Sequence, residues 1–74
     1  MPKLPRISPD EFIGVLKGLG FSQVRQVGSH KIFKNSNGLR VTVPYHRGEI
    51  IHPKILKTFL NDSEISIESF IELL

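Results

Sequence analysis

The chain predicts an α+β domain: one three-stranded antiparallel sheet with helices packed on one face, in the order helix, three strands, helix, short helix. Three observations carry that expectation. The central stretch holds strand-like runs on either side of an Asn-Gly turn, one with apolar and polar residues alternating at the period of two that a half-buried strand requires. Apolar residues at helical spacing flank it on both sides, and each flanking segment opens on a Ser or a Pro. With 74 residues, the chain is read as one domain spanning 1–74. Folding at this size removes only about 60% of the unfolded chain's surface from water. The core is therefore small, and a deep enclosed cavity is not expected.

Each element has its own punctuation. Ser8-Pro9-Asp10-Glu11 opens the first helix: Ser8 caps it, Pro9 suits the first helical position and Glu11 completes a capping box. Phe12, Leu16 and Leu19 fall on one face with Ile13 beside them, and Gly20 ends the helix in a left-handed conformation. Phe21 to Val27 reads as the first strand, His30 to Lys34 as the second and Leu39 to Val43 as the third. Asn35-Ser36-Asn37-Gly38 joins the last two, with Asn-Gly expected to supply the positive φ values of a hairpin. Pro44 ends the sheet. Pro53 starts a helix holding Ile55, Leu56, Phe59 and Leu60, and Ser66 caps a last one with Ile67, Phe70, Ile71 and Leu74 on one stripe.

Alternation assigns faces within the sheet. Val41 and Val43 share one side of the third strand, and Arg40 and Thr42 share the other. The Val pair belongs against the helices with Phe33, so His30, Ile32 and Lys34 stand on the solvent face near Arg40. A register slip of one residue would exchange the two faces.

Charge is unevenly spread. Residues 1–60 carry all ten Lys and Arg against Asp10, Glu11 and Glu49, a balance of +7, while residues 61–74 carry only Asp62, Glu64, Glu68 and Glu72. The body is a cation and the tail reads as an acidic helix. From Phe12 to Gly48 there is no acid at all. Clustered positive charge gives salt-dependent affinity for phosphate backbones and steers nucleic acid to the surface. The plainer reading is that Lys and Arg solvate a small domain.

Several classes are disfavoured. The longest apolar runs fall far short of the roughly 20 residues of a membrane span, and Met1 to Pro9 is too polar and Pro-rich for a signal peptide. With no cysteine there is no disulfide or thiolate chemistry, which fits a reducing cytoplasm. His30, His46 and His52 lack tight ligand spacing and the acids lie elsewhere, so neither a metal nor another cofactor is expected.

Gly28-Ser29-His30 lies on the turn between the first two strands, inside the stretch without acids. Read in order with Phe33, Asn37-Gly38, Val41-Thr42-Val43-Pro44-Tyr45-His46 and Glu49-Ile50-Ile51, it resembles the HicA family of toxins, small ribonucleases of toxin–antitoxin pairs. The match extends through the Leu56 to Leu60 helix and the closing Ile65-Ser66 to Phe70-Ile71 segment, and so covers nearly the whole chain. Family members often carry Gly-Thr before the Leu of the second helix, where this chain has Lys54-Ile55. The resemblance implies a fold like that of double-stranded-RNA-binding domains, metal-independent cleavage of mRNA, a HicB-like antitoxin, a part in stress responses, and His30 as the catalytic histidine.

The residues carry a compatible chemistry. A ribonuclease without a metal needs a base for the 2′-hydroxyl, an acid for the leaving 5′-oxygen and positive charge for the phosphorane-like transition state. A His with an unperturbed pKa of about 6.5 moves protons either way near neutral pH, worth ~10²–10⁴-fold in rate. His30 is the candidate by position; a His hydrogen-bonded near a turn would need no such role. His46 is a second proton donor, a phosphate-orienting group or a loop cap. His52, before Pro53, reads as a surface residue. Arg25, Lys31, Lys34 and Arg40 are the phosphate contacts, with Arg47 at the rim and Gly28 and Ser29 allowing close approach; each cation also suits a solvated strand. Arg40 is preferred for the developing charge, because its guanidinium is a bidentate fork. Tyr45 is the one aromatic placed to stack on a base, and the five Phe belong to the core.

Four functions fit these residues. A toxin endoribonuclease acting on single-stranded mRNA leads. A non-catalytic RNA-binding module, a protein that only docks to an acidic partner, and a metal-dependent nuclease follow in that order.

Overall fold

The computed structural model describes residues 3–74; the Met1-Pro2 end of the leading segment lies outside them. The order is α1 (Pro9–Gly18), β1 (Ser22–Val27), β2 (His30–Lys34), β3 (Arg40–Pro44), α2 (Pro53–Ser63) and α3 (Ile67–Glu72). The strands form one antiparallel sheet in the order β1-β2-β3, so the α+β architecture is as the sequence predicts.

α1 begins with the predicted capping box: the Glu11 amide donates to Ser8 Oγ at 3.1 Å, and the Ser8 amide donates to Glu11 Oε1 at 2.9 Å. Its end is a Schellman closure. Gly20, at φ 92, donates to the Lys17 carbonyl at 3.1 Å, and Phe21 donates to that of Leu16 at 2.9 Å. Phe21 is therefore held by the helix cap and buried in the core, which is why β1 starts one residue later than expected.

The β2–β3 connection also differs in detail. Gly38 alone takes a positive φ, 86°, while Asn37 does not. Asn35 does the organising: its Oδ1 accepts from the amides of Asn37 at 3.1 Å and Leu39 at 2.9 Å. That draws Leu39 into the turn, so β3 runs Arg40–Pro44 rather than 39–43.

The core is one cluster in which Phe33, Val41 and Val43 from the sheet meet Phe12, Val15 and Leu16 of α1, Leu56 and Phe59 of α2, and Phe70 of α3. Phe59 sits at its centre, with ring centroids 5.3 Å from Phe12, 5.9 Å from Phe21 and 6.2 Å from Phe70. Edge-to-face pairs of this kind add about 0.5–1.5 kcal/mol beyond area burial. Ile7 and Ile51 join the core from two loops, tied by the Ile51 amide donating to the Ile7 carbonyl at 2.8 Å.

The acidic tail spans the end of α2 and a separate α3, with the break before Ser66 that its capping predicts. Glu64, at φ 57, closes α2 in the left-handed position usually taken by Gly, and Ser66 caps α3 by accepting from the Ser69 amide at 3.1 Å. Of the expected stripe, Phe70 is buried while Ile71 and Leu74 stay exposed. Six residues make too short a helix to press a whole face onto the core.

Candidate active site and nucleic-acid interface

The antiparallel register places side chains directly. Phe33 pairs with Val41 and Gln23, and Lys31 with Val43 and Gln26; all of these point to the helix side. Val27, His30 and Pro44 form one row on the open face. Arg25, Ile32 and Thr42 form the next, and Lys34 lies between Ser22 and Arg40 in the last. The open face thus carries His30 near one end and the Lys34–Arg40 pair at the other. Four residue steps of strand separate them, about 13 Å at ~3.3 Å per residue.

This arrangement revises the sequence reading at three points. Arg40 is not beside His30. The strand cation nearest to it on that face is Arg25, its diagonal neighbour, at the ~7–8 Å typical of such pairs. Lys31 does not share a face with Lys34 and Arg40, because strand alternation turns it toward Tyr45, with Nζ 3.9 Å from the ring centroid. Tyr45 is not a free stacking platform: Lys31 covers one side of its ring, and its hydroxyl donates to Asp10 Oδ1 at 2.8 Å. That hydrogen bond chiefly raises the Tyr45 pKa; partial desolvation and the Asp10 charge add to the shift, and Arg47 opposes it.

The Gly28-Ser29 turn has a local explanation. It is a two-residue hairpin loop in which only the first central residue, Gly28 at φ 59, is left-handed. That is the pattern of a type II′ turn, which favours Gly at that position. Gln26 Nε2 donates to the Gly28 carbonyl at 3.0 Å, and the Tyr45 amide donates to the Ser29 carbonyl at 2.7 Å. The second bond brings the chain that continues into His46 and Arg47 alongside the hairpin. His30, His46 and Arg47 therefore belong to one end of the sheet, with Arg25 in the adjacent row; His46 lines a small pocket there with Pro9, Ile51 and Ile55.

The three histidines are treated differently. His52 caps α2, its Nδ1 accepting from the Lys54 amide at 3.0 Å, a role hidden in the sequence because His is not a usual cap. The rings of His30 and His46 are exposed and enter none of the side-chain hydrogen bonds found among the described residues. Among the same residues no three His, Asp or Glu side chains gather as a metal site, and no helix is long and apolar enough to cross a membrane.

The geometry is that of a small basic domain with one sheet face left open and an unengaged imidazole beside a tight hairpin. The family model described as HicA toxin of bacterial toxin–antitoxin matches residues 9–65, and the chain belongs to that family. It is accordingly the toxin side of such a pair, with an antitoxin as partner. No curated protein matches the chain.

Proposed function

We propose that this toxin is an endoribonuclease that cleaves single-stranded RNA, mRNA in the cell, with His30 moving the proton at the reacting phosphate. The observation that carries this reading is the open-face row on which His30 stands: its ring is unengaged, Val27 and Pro44 flank it, and Arg25 lies on the diagonal. As base, His30 takes the 2′-hydroxyl proton; as acid, it protonates the leaving 5′-oxygen. His46 is the candidate for the complementary transfer, since the Tyr45–Ser29 hydrogen bond holds the chain just before it at the same end of the sheet. Arg25 and Arg47 supply charge near the reacting phosphate, and Lys34 and Arg40 hold the strand farther along. Gly28 and Ser29 leave the hairpin open, since no atom lies within 4 Å of where a Cβ on Gly28 would stand.

Few groups read base edges here, so sequence preference is weak. A HicB-like antitoxin masks the open face in the cytoplasm by presenting acidic groups, which makes association fast and salt-sensitive. The test is expression of the chain alone. Growth arrest by wild type, none by His30→Ala, and rescue by the protein encoded beside it are expected; equal harmlessness of both forms contradicts the reading. In that case the non-catalytic RNA-binding module, which draws on the Lys34–Arg40 pair remote from His30, takes its place.

A further inference from the structure

The free edge of β3 faces a groove walled by α2, and we propose that this groove takes an extended, acidic protein segment as a fourth strand. Hydrogen bonds fix which backbone groups are available. The Asn35 amide donates to the Leu39 carbonyl and the Tyr45 amide to that of Ser29. In an antiparallel ladder inward-facing residues alternate with outward-facing ones, so Leu39, Val41 and Val43 face β2. Arg40 and Thr42 therefore direct both N–H and C=O away from the sheet. Pro44, next in that series, has no N–H to leave unpaired, as befits an edge strand.

Beneath that edge lies an open groove of about 530 Å³, lined by Thr42, Ile55, Thr58 and Phe59, with Lys54 and Asp62 on its α2 side. Its floor is mostly apolar, as a docked strand needs for its inward side chains. The opposite edge of the sheet lacks these features. β1 is exposed along its whole length and kinked by a bulge between Gln23 and Arg25, a common device against edge pairing.

Charge selects the occupant. α2 runs antiparallel to β3: Leu39 shares a pocket with Asp62, and Pro44 shares another with His52 and Ile55. The Thr42–Pro44 end of the groove thus meets Lys54, whose ammonium attracts a carboxylate, with His52 engaged as the α2 cap and Glu49 lining the adjacent pocket. A second copy of this chain suits it poorly, because its two edge strands, Ser22–Val27 and Arg40–Pro44, carry Arg25 and Arg40 and no acid. The expected guest alternates apolar and small polar residues and bears acids at the Lys54 end. The groove lies along the edge rather than on the His30 face, so this inference stands or falls independently of the ribonuclease reading.

The test uses the full chain and two synthetic eight-residue peptides of alternating valine and threonine, one ending in two glutamates and the other in two lysines. The glutamate peptide should bind and shift the amide resonances of Arg40 and Thr42, with the lysine peptide roughly tenfold weaker or more. Thr42→Pro, which deletes an outward N–H, should abolish binding in a folded protein. Thr58→Trp, which fills the groove without touching the strand, should do the same should the first variant unfold. Absence of binding, equal binding of both peptides, shifts confined to β1, or a β3-edged dimer of the chain itself would each overturn the proposal.

Discussion

The two faces of the sheet share three strands and a single alternation, yet different forces act on them. On the covered face Phe33, Val41 and Val43 are buried among helix side chains, and their contribution is hydrophobic and collective. On the open face His30, Arg25, Lys34 and Arg40 have water on one side, so their removal costs the fold little. Because the side-chain period is two, a residue's parity decides which of these roles it has.

The contrast can be broken most severely at Phe33. Phe33→Ala should cost about 3–5 kcal/mol, the range for a large core aromatic, read as a drop in the urea midpoint at constant slope. A loss below about 1 kcal/mol would mean that this face does not hold the domain together. On the other side, Lys34→Gln with Arg40→Gln should leave the midpoint near wild type. In a His30→Ala background it should lower the salt dependence of RNA binding by about 1.4 in log–log slope, using ~0.7 per phosphate contact for single strands. Lys31→Gln, on the helix side, should leave that slope unchanged, and a fall equal to that of Arg40→Gln would contradict the register-based assignment.

Smaller effects test the frame between the faces. His52→Ala should cost about 1 kcal/mol by removing the α2 cap, with His52→Asn recovering most of it; equal midpoints for all three proteins would show that the cap contributes nothing. The smallest effect concerns Tyr45, whose raised pKa means that folding favours the protonated phenol. That stabilisation is fully present below the ordinary tyrosine value of about 10 and is lost as pH rises through the higher folded value. Wild type should lose more stability than Tyr45→Phe across that alkaline window, and parallel curves would remove the Tyr45–Asp10 bond from the account.

What could be read in the sequence was local or periodic. Ser8 and Glu11 sit three residues apart and bond each other as their spacing requires, and the parity of Val41 and Val43 against Arg40 and Thr42 gave the faces correctly. Contacts between distant residues had no such signal. Asp10 and Tyr45 are 35 apart in the chain, and Ile7 meets Ile51 through two loops with no periodicity. Lys31 illustrates a different failure: its parity with Phe33 was visible, yet neighbouring positive charge grouped it with Lys34 and Arg40. The family resemblance was legible, and the match over 9–65 bears it out; His30 was legible as a candidate. Arg25 as the near cation follows from the two-residue Gly28-Ser29 loop, which pairs Val27 with His30; the bulge between Gln23 and Arg25, which no residue type announces, shifts only the pairs beyond it.

The most direct measurement is cleavage of a mixed-sequence RNA in EDTA by wild type and His30→Ala, with the urea midpoint recorded on the same samples. The account predicts that wild type cuts, that His30→Ala loses ~10²–10⁴-fold or more in rate, and that the stabilities read from the two midpoints agree within about 0.5 kcal/mol. Undiminished cutting by His30→Ala, or a loss that merely follows a collapsed midpoint, would contradict it.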